Sequence, residues 1–575
     1  MQAKVKPQWC FLDLLLASII PFLLLSITWL NIPIGFDTND DIGMMSYISG
    51  LRTGTSTQLP IYTSILYGTI ITFLYQIHNS SPWYIISYMT LSWLTMSILC
   101  FYCLHLFRRD DCSRKFSTNT FSGIMLFCML YYCVFCYYTT LFQFTTTPSI
   151  CGFAAILLMT IAPKGNRSLF VLTTILLFFA DTIRHQIGYL TTFAFVLAFV
   201  LMYACKIKAN IKYVVIALIV LIIVRSFNAG YERLTNWGDY RKLHHERNYW
   251  MAYPHIKYDQ NNEIYNVVGW DKNMYRLAKS WFFMDQKLND FRVFSAINSM
   301  SGDSIAPTPL FPKFEQCWLF LKETVKSKRN LWCFSTFAII FFLIFQCLFW
   351  KHDLNYLTII VSAVIVTLCA LCYFAYLGRL PCRVVFAIFV LCLLPSLLIG
   401  LRKLLYTTRL TPSFYCIALT VMICMIIYSF CGENGAFNYT YVQACNRRSW
   451  QSSTNRIVDY IETNKNNIYI YDSGCAIKMG LLNKPHQNFL CWGGALAYSP
   501  AFFAQLRANG RTNLYSDSFF DSNIYFLTTR SEPNETLVAY MRDKFGGNVD
   551  TEIIMQQPDF TVYRFNRRPY SAPRK

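Results

Sequence analysis

Acidic side chains are scarce along most of this 575-residue chain. Residues 1–228 and 331–431 contain no glutamate and only eight aspartates. Charged residues of either sign make up 14% of the whole, where a soluble globular chain carries about 25%. A water-soluble fold is thereby excluded for those two stretches. Internal repeats and low-complexity segments are also missing, and the C-terminal tail holds no glycine-rich phosphate loop. The formal net charge is +20, yet no basic stripe with interleaved stacking aromatics occurs, so nucleic acid is excluded as a partner. The two long polar segments are close to balance: 15 basic against 11 acidic residues in 229–330, and 16 against 12 in 432–575.

What the chain has instead is apolar sequence, 54% of all residues. Apolar runs of about 20 residues read as membrane-spanning helices. They predict a polytopic α-helical membrane protein with about eleven transmembrane helices, near 11–31, 83–107, 119–139, 148–163, 168–183, 187–205, 211–228, 331–350, 355–376, 384–401 and 412–431. The first is read as a retained signal anchor, because Pro33 and Gly35 follow it rather than a small-x-small cleavage site. Cytoplasmic loops collect Lys and Arg. With the N-terminus in the cytoplasm, cytoplasmic short segments hold fifteen basic residues and outer ones five: Arg52, Arg184, Arg225, Arg379 and Arg383. That bias requires the apolar segment 61–78 to stay on the outer side. It also places 229–330 and 432–575 outside the cytoplasm, against the local bias of Lys326, Lys328 and Arg329, which long translocated segments tolerate.

The expected organisation is a membrane domain over 1–431, with a first outer loop at 32–82 and a large outer loop at 229–330, followed by an extracytoplasmic domain over 432–575. In that tail "NIYIYDSG" (467–474), "NIYFLTT" (523–529) and "DFTVYRF" (559–565) read as strands, and 499–510 and 531–547 as helices. Alternating strands and helices predict a small α/β domain. Most of the 22 cysteines fall inside apolar runs, where Cys acts as a small apolar residue.

Of the eight aspartates, only Asp37, Asp40, Asp41 and Asp181 map to the outer face, and three of them lie within "FDTNDD". A helix N-cap accounts for one acid there. It leaves an adjacent pair, Asp40 and Asp41, at a membrane surface. Neighbouring carboxylates raise each other's proton affinity unless a cation sits between them. The pair therefore suits a general base, or a site for Mg²⁺ or Mn²⁺ through oxygen ligands. His244-His245-Glu246 offers a second ligand set, although adjacent histidines point apart on most backbones.

At this pair the chain resembles the GT-C-type membrane glycosyltransferases, which carry an acidic pair just after their first helix, in an outer loop with two juxtamembrane helices, the second opened by a proline segment. Asp40-Asp41 matches the pair, and Leu59-Pro60-Ile61-Tyr62 the proline segment. The stretches "FQFTTTPS", "RHQIGYL" and "YLGRLPCRVV" are similar to patterns in uncharacterised bacterial multi-pass membrane proteins. The second acid is Asp where some GT-C enzymes have Glu. The Trp-rich sequon-reading motif of oligosaccharyltransferases is missing, which argues against protein N-glycosylation. The resemblance implies an enzyme of the cell envelope. Its donor is a polyprenyl-phosphate-linked sugar, its acceptor a hydroxyl on a glycan, lipid or protein, and its reaction an inverting displacement. Asp40 is then the base, Asp41 tunes it or shares a cation with it, and Asp37 completes the acidic cluster. The leaving phosphate needs cations, and Arg suits phosphate through its planar fork. The outer-face candidates are Arg184 with His185, and Arg379 and Arg383. The rival readings are an O-antigen-type ligase or polymerase, and a transporter of lipid-linked sugars or small molecules.

Overall fold

The computed structural model describes residues 11–58, 61–107, 118–161, 166–204, 206–207, 210–252, 255–304, 354–377, 380–407, 412–431, 435–471, 486–491 and 493–567, with scattered positions between 315 and 340. Helix α1 (Phe11–Asn31) leads to a two-residue strand β1 (Gly35–Phe36), then to short helices α2 (Asn39–Ile48) and α3 (Ile65–Ile77), and to the long α4 (Trp83–Phe107). Among the described residues, six helices are long and apolar enough to cross a membrane: α1, α4, Thr118–Thr140, His185–Ala204, Lys212–Leu234 and Cys382–Leu405. The chain is a helical multi-pass membrane protein. Its membrane-facing surfaces are legible in exposure. In α1, Phe11, Phe22, Leu23, Ile27 and Leu30 are exposed apolar side chains that only lipid makes inexpensive, whereas Cys382–Leu405 is 89% buried among other helices.

The expected count of eleven spans is not reached by this measure. Helices also occur at Thr146–Ile161, Arg167–Ile183, Leu354–Tyr376 and Pro412–Phe430, but their described apolar parts are shorter or more polar than the six. The segment expected near 331–350 lies outside the described residues. Helix α3 has 13 residues. At 1.5 Å per residue it is about 20 Å long, short of a hydrocarbon core about 30 Å thick.

The large loop after Lys212–Leu234 folds into helices Trp237–Ala252, Lys272–Lys279 and Phe291–Ser304 around an aromatic centre of Trp250, Trp270, Tyr265 and Phe294. Past the last apolar helix, the 28-residue helix Ala436–Thr463 carries the chain to a five-stranded sheet. Its strands are β3 (Ile468–Tyr471), β4 (Phe489–Cys491), β5 (Ile524–Thr528), β6 (Val549–Gln556) and β7 (Thr561–Arg567), in the order β4-β3-β5-β7-β6. The first three pair parallel; β7 joins antiparallel to β5 and β6. Strands β3, β5 and β7 and helices Pro500–Ala508 and Glu535–Phe545 fall at the sequence-expected positions. Strands β4 and β6 and the helix Ala436–Thr463 add to them.

The large loop and the sheet domain are fastened together. Phe282 bridges to Gly493, a Cβ on Gly493 would overlap the Trp281 carbonyl, and Asp285 accepts from Lys544 (2.7 Å) and Tyr540. These contacts roof one end of the membrane helices and enclose a cavity.

Candidate active site

Helix α2 is placed by its neighbours on both sides. Strand β1 pairs parallel with Leu141–Phe142 (β2), and the Asp37 amide donates to the Phe142 carbonyl (2.9 Å). This two-residue sheet pins the entrance of α2 to the turn that follows Thr118–Thr140. Thr38 is the N-cap residue, in extended conformation, and its hydroxyl donates to Asp41 Oδ2 (2.9 Å). Gly50, at φ 84°, turns the chain beyond the C-terminus.

Asp41 is completely buried. Its Oδ1 accepts from the Tyr84 hydroxyl (3.1 Å), the Tyr88 hydroxyl (3.4 Å) and the Phe144 amide (3.0 Å). It thus ties α2 to α4 and to the loop before Thr146–Ile161. Burial pushes the Asp41 carboxyl well above the usual range; the Thr38 hydrogen bond opposes this, and the neighbouring Asp40 charge adds to it. Consecutive helical side chains diverge by about 100°, so fixing Asp41 among the tyrosines turns Asp40 the other way, into the cavity.

That cavity has a volume of about 900 Å³. Asp40 lines it together with Arg184 and Arg383. Arg184 occupies a one-residue extended break between two helices (φ −150°, ψ 108°), and its guanidinium lies 4.6 Å from the centre of Phe144 and 5.3 Å from that of Tyr62. Burial first, and the Asp40 charge next, push the Tyr62 phenol well above its usual value, while Arg184 opposes them. Tyr62 therefore feels both the Asp40 carboxylate and the Arg184 guanidinium. Arg383 is the second residue of Cys382–Leu405, so it adds its charge to the positive end of that helix. A carboxylate, two guanidiniums and a helix N-terminus facing one enclosed volume can hold an anionic leaving group and accept a proton beside it.

The remaining candidates separate from this site. Asp41 does not reach the cavity, and its oxygens already accept from four donors, so the adjacent pair does not fit a shared Mg²⁺ or Mn²⁺. Among the described residues, no three His, Cys, Asp or Glu side chains gather as a metal site. Asp37 also turns away: it accepts from Tyr137 (2.8 Å) and pairs with Arg447 (3.1 Å), which binds the Phe36 carbonyl too. It anchors Ala436–Thr463 to the start of α2. His185 opens the helix after the break, and that turn directs Gln186, not His185, to the cavity. Arg379 lies outside the described residues. Asp181 pairs with Arg225, not with Arg184. His244, His245 and Glu246 diverge as adjacent residues do. His244 packs edge-on against Tyr62, with its pKa pushed down to about 3 by burial and then by Arg247, Arg184 and Arg241. His245 lines the cavity, and Glu246 accepts from Asn298 (2.8 Å).

The cavity residues Tyr249, Trp281 and Tyr471 escape sequence reasoning, while Arg52 reads there only as an outer-face charge and His245 only as a metal-ligand candidate. The three family-like stretches do carry a signal, because each runs into the cavity wall, through Phe144 and Thr145, through Arg184 and Gln186, and through Pro381 and Arg383.

No family model and no curated protein matches this chain. The solved structure of ArnT from Cupriavidus metallidurans in the apo state aligns with 95% of this chain and 97% of its own length, at 9% identity and a TM-score of 0.37. A score that low does not establish a common fold.

Proposed function

We propose that the protein is a GT-C-type glycosyltransferase that moves a sugar from a polyprenyl-phosphate-linked donor to an acceptor hydroxyl, at the outer face of the cell membrane. The observation that carries this reading is the meeting of Asp40, Arg184 and Arg383, from three distant parts of the sequence, on one cavity at the end of the membrane helices. In the proposed step the acceptor oxygen attacks the anomeric carbon as Asp40 takes its proton. The bond from that carbon to the phosphate oxygen breaks, and its electron pair leaves with the lipid phosphate. Arg184, Arg383 and the helix end behind Arg383 neutralise the charge that develops there. A transporter would place its charged groups near the membrane midplane. Here the charges collect at one end, under a roof of polar protein, which supports chemistry over passage.

Donor binding tests the reading. Arg184→Gln and Arg383→Gln should each weaken binding of undecaprenyl phosphate to the detergent-purified protein at least tenfold, with melting temperature unchanged. Undiminished binding in both variants would remove the donor site from this cavity.

A further inference from the structure

The cavity extends beyond the donor end, and its far wall holds a second cation of unusual character. Arg52 follows α2 and is 4% exposed. Its Nε donates to His486 Nε2 (3.4 Å), its Nη2 to the Tyr471 hydroxyl (3.2 Å), and its guanidinium lies 5.2 Å from the centre of the Tyr47 ring. All three partners are uncharged acceptors or a ring face. Among the described residues no Asp or Glu pairs with Arg52, although it lines the cavity. A buried cation without a counter-ion is costly, and it is retained where a ligand supplies the missing charge.

The wall beside it is built in the same sense. Arg247, 1% exposed, reaches from the large loop to the carbonyls of Gly494 (3.4 Å), Ala495 (3.4 Å) and Ala497 (3.2 Å). A trans peptide points its N–H opposite to its C=O. The amides that follow the first two carbonyls, those of Ala495 and Leu496, therefore lie on the side of the loop away from Arg247. Both residues line the cavity. Arg247 thus holds this loop with carbonyls drawn back and amide donors left for a ligand, the arrangement of an anion-binding nest.

We propose that Arg52, Tyr471 and this loop form a second oxyanion subsite, which binds a phosphate or carboxylate group carried by the acceptor. The proposal rests on the glycosyltransferase reading above and deepens it. Seven residues of α2 separate Asp40 from Tyr47, a rise of about 10 Å. Asp40 and Arg52 line the same cavity, so an acceptor whose anionic group sits on Arg52 presents its hydroxyls toward Asp40 within that volume. Tyr471 and the loop come from the sheet domain, which assigns that domain to acceptor recognition.

Two soluble probes and one lipid separate the subsites. Glucose 6-phosphate should bind the purified full-length protein saturably by calorimetry, and glucose should not. Arg52→Gln should weaken glucose 6-phosphate at least tenfold and leave undecaprenyl phosphate unchanged. Arg383→Gln should do the reverse. Should Arg52→Gln fail to fold, Arg52→Lys, which keeps the charge but loses the planar fork, should still bind the soluble anion several-fold more weakly. Wild-type affinity for glucose 6-phosphate in both Arg52 variants overturns the proposal, as does equal loss of both ligands in Arg52→Gln, which would assign Arg52 to the lipid end. If Arg184→Gln and Arg383→Gln leave the lipid bound while Arg52→Gln releases the sugar phosphate, the donor reading fails and the second subsite stands.

Discussion

At the scale of single residues, two adjacent aspartates have opposite duties. Asp40 faces the cavity and Asp41 is sealed among Thr38, Tyr84, Tyr88 and the Phe144 amide. Burial raises the proton affinity of Asp41, so between its unfolded value, about 3.9, and its higher folded value the native state binds more protons than the unfolded state. Stability must then fall as pH rises through that window. Asp41→Asn, which keeps an acceptor for the Phe144 amide and cannot ionise, should flatten the slope; melting of both proteins in detergent from pH 4 upward checks it, and parallel slopes would mean that Asp41 does not titrate there. Asp41→Ala strands the Phe144 amide and should cost about 1–3 kcal/mol. The acidic pair was legible in the sequence because carboxylates are so rare in the membrane part. Which of the two faces inward was not legible. That phase is set by Tyr84, 43 residues away, and by the Phe144 amide, 103 away.

At the scale of elements, the apolar helices were legible from run length alone, since lipid imposes one rule along the whole segment. Helix Ala436–Thr463 was not, because its mixed face lies against both the membrane domain, through Arg447, and the sheet, so neither a continuous apolar run nor a clean stripe marks it. Strand β4 is three residues long, and β6 is a half-exposed edge strand with "TEIIM" breaking the alternation. Short and edge strands carry too few buried positions to show a period. The joint between large loop and sheet domain is equally silent in sequence, yet its closest backbone approach depends on a single glycine. Trp281 sits in the left-handed region at φ 60° and its carbonyl packs directly on Gly493. Gly493→Ala should force that backbone apart and cost about 1–3 kcal/mol. The visible result should be faster proteolysis of the sheet domain with the membrane helices intact; an unchanged digestion rate would show that the joint yields freely.

At the scale of the whole molecule, the membrane helices, six of them long and apolar enough to cross a membrane among the described residues, meet a cavity roofed by protein from two separate polar segments. The end of that cavity proposed to hold the donor was partly legible: Asp40, Arg184 and Arg383, which line it, were singled out by charge scarcity and topology. The roof was not, because Trp281 and Tyr471 look like ordinary polar-segment residues until the chain folds back, and nothing local sets Arg52 apart from the other outer-face arginines. The topology carries its own prediction. If 61–78 stays on the outer side, cysteines introduced at Ser80 and Ser113 should label from opposite sides of intact cells, and labelling of both from one side would invert the later loops. The catalytic assignment is tested most directly by Asp40→Asn. Asparagine matches the shape of aspartate but cannot take the acceptor proton, and removal of a general base costs about 10²–10⁴-fold in rate. Sugar transfer from a labelled polyprenyl-phosphate-linked donor pool in membranes should fall by that factor in Asp40→Asn, with expression, melting and undecaprenyl phosphate binding unchanged. Near-normal transfer by the Asp40→Asn protein would contradict the role given to this carboxylate.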